Sequence, residues 1–196
     1  MDLFKLYDNN VKFNVRLINS DPTFKRNMSI NEVREIIPNE YKTNNIKSDI
    51  FFRPESKNFI MVDLDSNPSQ AVLKVIKDKG AFLIIQTSRY HYQAWFYNKR
   101  VPSWEDYTKK AKYSAHLFKG DMASTKSKQV GRIPGYNNLK QGRNNFKVKI
   151  VFQPNTKTYA RSKQKYLPEL VFNPLDKRRM NEMSSSSSSS NSERYV

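Results

Sequence analysis

Ala81-Phe82-Leu83-Ile84-Ile85-Gln86-Thr87-Ser88-Arg89-Tyr90-His91-Tyr92-Gln93-Ala94-Trp95-Phe96-Tyr97 holds two apolar runs separated by a polar turn. The first, Ala81 to Gln86, is short, continuous and rich in branched side chains, which is the composition of a buried strand. The second, Tyr92 to Tyr97, alternates beside it, so the segment reads as a hairpin whose turn carries Ser88, Arg89 and Tyr90. His91 and Gln93 lie two apart on the return strand and share a face. Hydroxyl, guanidinium, imidazole and amide together suit a grip on triphosphate oxygens. The bland alternative is an ordinary polar hairpin turn with a surface histidine.

Working outward, Asp49-Ile50-Phe51-Phe52-Arg53 and Phe59-Ile60-Met61-Val62 are strand-like runs split by the turn Pro54-Glu55-Ser56-Lys57. Val11, Phe13, Val15 and Leu17 alternate as another strand, which turns at Asp21-Pro22. Ser29 and Glu32 have the spacing of a capping box opening a short helix through Val33, Ile36 and Ile37, with a stop expected near Pro38. Ser69 to Lys79 reads as a helix ending at Gly80. Ser103 to Phe118 reads as a basic helix with Ser103 as N-cap and Trp104, Tyr107, Ala111, Ala115 and Phe118 on one face. Phe146 to Phe152 alternates as a closing strand. Interspersed strands and helices place the chain in the α+β (mixed α/β) class.

The 196 residues favour one domain plus a short tail. The division expected is a folded unit over residues 1–175 and a disordered, Ser-rich tail over 176–196, the latter holding seven consecutive serines from Ser184 to Ser190. No Cys and only two His exclude disulfide frameworks, thiolate chemistry and Cys- or His-rich metal sites. No apolar run approaches the roughly 20 residues of a membrane span, and the N-terminus lacks a signal-peptide apolar region. A soluble, intracellular chain without a membrane partner is expected.

The net charge is +17, and it is unevenly placed. Residues 1–98 carry 14 basic and 11 acidic side chains, a net of +3, whereas residues 99–196 carry 21 and 7, a net of +14. Lys109-Lys110-Ala111-Lys112, Lys126 with Lys128, and Arg161 to Lys165 concentrate it. Such a surface gains from a polyanion through counterion release, and aromatic residues among the bases suit an unstacked single strand. A merely solubilising surface is the alternative.

Asp63 and Asp65 end the run Phe59 to Asp65. At period two both carboxylates point to one strand face while Leu64 points to the core. Two carboxylates so close repel unless a cation lies between them, and Mg²⁺ held by carboxylates plus substrate phosphates is a common resolution. A strand simply running into a polar turn at Ser66-Asn67-Pro68 is the other reading. Gly120, Gly131 and Gly135, three of only five glycines, fall between Gly120 and Lys140 in the polar stretch after Phe118. Those positions are expected to need positive φ or close backbone approach. In the same stretch Asp121 could be a third acidic ligand, and Arg132 and Lys140 could neutralise phosphates. Walker-A and GxGxxG patterns are absent.

Taken in order, Asn44 to Pro54, Met61-Val62-Asp63-Leu64-Asp65, Gln86-Thr87-Ser88 with Tyr92-Gln93-Ala94-Trp95, Asp121, and Gly131-Arg132-Ile133-Pro134-Gly135-Tyr136-Asn137-Asn138-Leu139-Lys140 resemble the RepB-like DNA primase domain of the archaeo-eukaryotic primase (primase-polymerase) superfamily. The resemblance covers roughly residues 20–153. It implies a single catalytic domain with a mixed or antiparallel sheet flanked by helices. It also implies that Asp63, Asp65 and Asp121 are catalytic ligands of Mg²⁺ or Mn²⁺. Ser88, His91, Gln93 and Arg132 would bind nucleotide, with either His91 or Gln93 making the phosphate contact. Lys126, Lys128, Lys140 and Arg143 would bind nucleic acid. The acids of the first motif are spaced by Leu64 here, whereas RepB-like members often have adjacent acids.

The function so implied is a metal-dependent nucleotidyltransferase that makes primers on a single-stranded DNA template from nucleoside triphosphates. It would serve a plasmid, phage or organellar element and work with a separate helicase or initiator. Lys-, Asn- and Tyr-rich usage suggests an AT-rich genome in cytoplasm or an organelle, a plastid among them. The rivals are a non-catalytic origin- or single-strand-binding protein that keeps the fold, and a basic RNA-binding module.

Overall fold

A computed structural model describes residues 3–7, 9–18, 23–43, 49–65, 67–127 and 129–154. Lys128 and residues 155–196, including the Ser-rich segment, lie outside the described residues. The elements run β1 (Phe13–Ile18), β2 (Thr23–Met28), α1 (Ile30–Thr43), β3 (Asp49–Pro54), β4 (Phe59–Leu64), α2 (Gln70–Asp78), β5 (Ala81–Ser88), β6 (His91–Tyr97), α3 (Trp104–Phe118), β7 (Gly131–Arg132), β8 (Asn137–Asn138), β9 (Phe146–Lys147) and β10 (Lys149–Phe152). Short 3₁₀ turns cover Leu3–Leu6 and Met122–Thr125.

The α+β expectation holds, with two four-stranded sheets in place of one. Their orders are β2-β1-β3-β7 and β10-β5-β6-β4, and β8 with β9 forms a small ribbon. Every pairing among the described strands is antiparallel. Period-two alternation explains how the second sheet is covered on both faces. Ile60, Val62 and Leu64 of β4 face α2 and α3, packing with Leu73, Ile76, Tyr107, Ala111, Ala115 and Phe118. Phe59 and Met61 face the other way, into a core shared with α1 and the first sheet. Phe52 of β3 stacks on Trp95 of β6 at 5.1 Å between centroids, joining the two sheets.

Local signals account for most boundaries. The capping box closes as expected: the Ser29 N–H donates to Glu32 Oε2 at 2.6 Å, and the Glu32 N–H donates to Ser29 Oγ at 3.3 Å. Ser69 and Ser103 cap α2 and α3, and Gly80 takes φ +98° past α2. The helix expected to stop near Pro38 continues to Thr43. A proline inside a helix removes one backbone donor and crowds the carbonyl four residues before it, which disfavours the helix without always ending it. The closing strand is interrupted at Val148, whose buried N–H bonds the Tyr136 carbonyl at 2.9 Å and so turns aside to the preceding loop. Trp104 is 41% exposed and departs from the apolar face of α3, packing edge-on to Tyr107 at 5.5 Å instead. Among the described residues no helix is long and apolar enough to cross a membrane.

Candidate active site

The site forms where β7 of the first sheet leans over one end of the second. Asp63 is cross-strand partner to Gln93, and Asp63 and Asp65 lie on the Met61 side of β4, away from fully buried Leu64. The approach of β7 requires glycine. A Cβ on Gly131 would fall 2.5 Å from Trp95 Cζ2, 3.0 Å from Gln93 Oε1 and 3.1 Å from Met61 Sδ.

Asp121 reaches Asp63 from the end of α3. Lys119 takes φ +55° at the C-cap, and the Gly120 N–H donates back to Ala115 O at 2.7 Å. The Asp121 N–H then donates to Asp63 O at 2.8 Å. Gly120 permits this contact, since a Cβ there would lie 2.6 Å from Val62 Cγ1 and 2.8 Å from Asp63 O. Gly120 and Gly131 thus serve close approach, whereas Gly135 serves conformation at φ +98°.

Burial raises the Asp63 pKa to about 7, helped by the negative charges of Asp65 and Asp121 and opposed by a hydrogen bond from Gln93 and by Arg132. These carboxylates are hard oxygen donors of the kind Mg²⁺ and Mn²⁺ take, so the chemistry of the donor set fits a divalent ion. The side chains are not gathered into one ligand cage, and among the described residues no three His, Asp or Glu groups converge at metal-binding spacing. Asp65, exposed, turns toward His91 Nε2 at 3.8 Å. The Asp121 Oδ1 accepts from the Ala123 N–H at 2.8 Å, capping the 3₁₀ turn.

His91 belongs to a second cluster at the same edge. Ser88 Oγ lies 2.7 Å from its Nδ1, and Arg143 Nη1 lies 2.9 Å from Nε2 and 3.0 Å from Nδ1. Burial and the Arg143 charge hold its pKa below the usual histidine range, with Asp65 opposing and Lys140 assisting. The ring is therefore neutral near pH 7 and accepts from Arg143. Arg143, grouped by the sequence with Lys126, Lys128 and Lys140, sits in this cluster instead.

Gln93 is enclosed, with 4% exposure. Its Oε1 accepts from the Arg132 N–H at 2.8 Å while its amide serves Asp63. Of the two candidates for the phosphate contact, His91 stands at the accessible edge and Gln93 stands behind Asp63. The Arg132 guanidinium is likewise engaged, paired to Asp49 and lying 4.5 Å over the Phe51 ring. Lys126 and Lys140 are exposed. Asp49 was not among the sequence candidates, although period two puts it on the same face as Phe51, the cross-strand partner of Arg132. Its Oδ1 also accepts from the Leu139 N–H at 2.8 Å. Asp49→Ala is expected to cost about 3 kcal/mol by stranding a buried guanidinium. Urea unfolding checks this, and Asp49→Ala with Arg132→Met is expected to recover part of the loss.

A family profile described as the RepB DNA-primase N-terminal domain matches residues 7–165. Among solved structures, the fold is similar to the catalytic domain of the primase RepB′ in complex with initiator DNA. That pair has TM-score 0.64 and 19% identity, over 93% of each chain. A second structure, primase RepB′, gives 0.64 and 19% over 92% of this chain, which spans 60% of that protein. The archaeo-eukaryotic primase domain of the cyanophage S-2L primase-polymerase gives 0.51 and 15%, over 80% of this chain and 89% of that one. No curated protein matches the chain.

Proposed function

The chain belongs to the RepB DNA-primase N-terminal domain family, and on that premise we propose that it is a primase-type nucleotidyltransferase extending primers on single-stranded DNA. The observation that carries the reading is the backbone contact that sets Asp121, at the end of α3, next to Asp63 on β4, with Asp65 on the same strand face beside the Ser88–His91–Arg143 cluster. In nucleotidyl transfer a 3′-hydroxyl oxygen bonds the α-phosphorus of a nucleoside triphosphate. The bond to pyrophosphate breaks and the hydroxyl proton is lost. Asp63, Asp65 and Asp121 would hold Mg²⁺ or Mn²⁺, which when bound supplies charge neutralisation at the phosphates and acidifies the attacking hydroxyl.

The chain's own groups do the rest. Gln93 fixes the Asp63 carboxylate, and the backbone N–H of Arg132 fixes Gln93. Neutral His91, with Ser88 and Arg143, faces the triphosphate, where a guanidinium can meet two oxygens at once. Lys126, Lys128, Lys140 and Arg143 hold the template backbone. The catalytic unit is taken as residues 1–175 and the rest as a tail. The replicon would be a plasmid, phage or organelle in the cytoplasm or a plastid, with helicase or initiator supplied separately.

One observation favours the non-catalytic strand-binding reading. Asp65 and Asp121 are each engaged elsewhere, with His91 and with a helix cap. Incorporation of labelled nucleotides on a single-stranded template separates the two. Product dependent on Mg²⁺ or Mn²⁺ and lost with a chelator supports the primase, whereas strand binding with no product supports the rival. Lys126→Ala and Lys140→Ala are each expected to weaken single-strand binding and to reduce the slope of log affinity against log salt by about 0.7.

A further inference from the structure

We propose that Arg89 and Tyr90, at the tip of the β5–β6 hairpin, form a stacking platform for a base of a single DNA strand. Ser88 pairs with His91, so these two residues are the whole turn. Two-residue hairpin turns favour Asn-Gly or Gly because the residues adopt positive φ. Here the positions hold a long cation and a large aromatic, and neither has positive φ. Side chains supply the stability that turn chemistry does not. Gln86 Nε2 donates to Arg89 O at 3.1 Å, Thr87 Oγ1 to His91 O at 3.3 Å, and Asn138 Nδ2 to Thr87 O at 2.7 Å. A tip fastened in this way presents its side chains at a fixed place.

Tyr90 is 44% exposed, and the Arg89 guanidinium lies 5.0 Å from its ring centroid. An aromatic backed by a cation is suited to a nucleobase, whose π-face every base offers regardless of sequence. The surroundings suit a strand better than a free nucleotide. The Ser88–His91–Arg143 cluster adjoins the tip, with Arg143 Nη1 3.5 Å from Ser88 Oγ, so a cation stands beside the stacked base where the strand's phosphate would run. Asp65, 3.8 Å from His91, places the platform next to the candidate catalytic carboxylates. Its use in template placement rests on the primase reading, whereas strand binding at the tip does not.

The test uses the full chain without metal or nucleotide, titrated into a single-stranded oligonucleotide carrying 2-aminopurine, whose fluorescence falls on stacking. Tyr90→Ala is expected to weaken binding about tenfold and to abolish the quench, and Tyr90→Phe to keep both. Arg89→Ala is expected to lower the salt slope by about 0.7. Binding by Tyr90→Ala within twofold of wild type, with the quench retained, overturns the proposal. So does loss of nucleoside triphosphate binding with no loss of strand binding. Nucleotide incorporation by wild type is measured in parallel. No product together with a Tyr90-dependent quench removes the primase reading alone, and product together with unchanged Tyr90→Ala binding removes the platform alone.

Discussion

Asp63→Asn is expected to lower primer synthesis by on the order of a thousandfold while making the metal-free protein more stable above pH 7. The two halves have one cause. Asp63 sits beside Asp65 and Asp121 with much of its hydration removed, and its pKa stands at about 7 against an ordinary 3.8. Between those values the folded chain keeps a proton that the unfolded chain has released. Stability therefore falls as pH rises from about 4 to about 7 and stays low above that. The full effect has an upper bound of about 4 kcal/mol, because one pKa unit corresponds to about 1.4 kcal/mol. Asparagine keeps the shape and removes the charge, so the variant loses this pH dependence. Chemical denaturation of both proteins at pH 5 and pH 8, without divalent cations, checks the stability half. A variant no more stable than wild type at pH 8 would show that the carboxylate is not electrostatically strained.

Gly131→Ala is expected to cost about 2–3 kcal/mol and most of the activity, although the residue carries no functional group. Its Cβ would lie 2.5 Å from Trp95 Cζ2, an aromatic atom within a fully packed interior. Trp95 is stacked on Phe52 and cannot withdraw without opening the contact between the sheets. The strand would have to lift instead, taking the Arg132 N–H away from Gln93 and releasing the Asp63 carboxylate. Gly135→Ala is the control. Nothing lies within 4 Å of the added methyl there, so its cost is confined to the positive φ, about 1 kcal/mol. Guanidinium unfolding with an activity assay on the same samples separates the two glycines.

The elements were legible where local chemistry decides them. Ser29, Ser69 and Ser103 announced three helices, and the alternation of β4 announced which side Asp63 and Leu64 would take. β2 carries no strand signal, because Thr23-Phe24-Lys25-Arg26-Asn27-Met28 is an edge strand whose exposed face erases the apolar alternation. The partition into two sheets falls between β3 and β4, consecutive in sequence yet paired to β1 and to β6, and the two-residue β7 that completes the first sheet has no apolar pattern of its own. At the site, spacing singles out Asp63 and Asp65 and the resemblance adds Asp121, whose N–H lies against the Asp63 carbonyl. The pairing of Arg132 with Asp49, 83 residues apart in sequence, was not visible, since no local pattern encodes the pairing of β7 with β3. The inward turn of Gln93 was hidden for the same reason, as its orientation is set by Arg132 and Asp63 together.

The central claim is that Asp63, Asp65 and Asp121, from β4 and the end of α3, act as one divalent-cation centre. Calorimetric titration of the full chain with Mn²⁺ tests it most directly, comparing wild type with Asp63→Asn, Asp65→Asn and Asp121→Asn. Wild-type binding weakened about tenfold or more in each variant is the predicted result. Mn²⁺ binding unchanged in all three variants, or absent from wild type at pH 8, would contradict it.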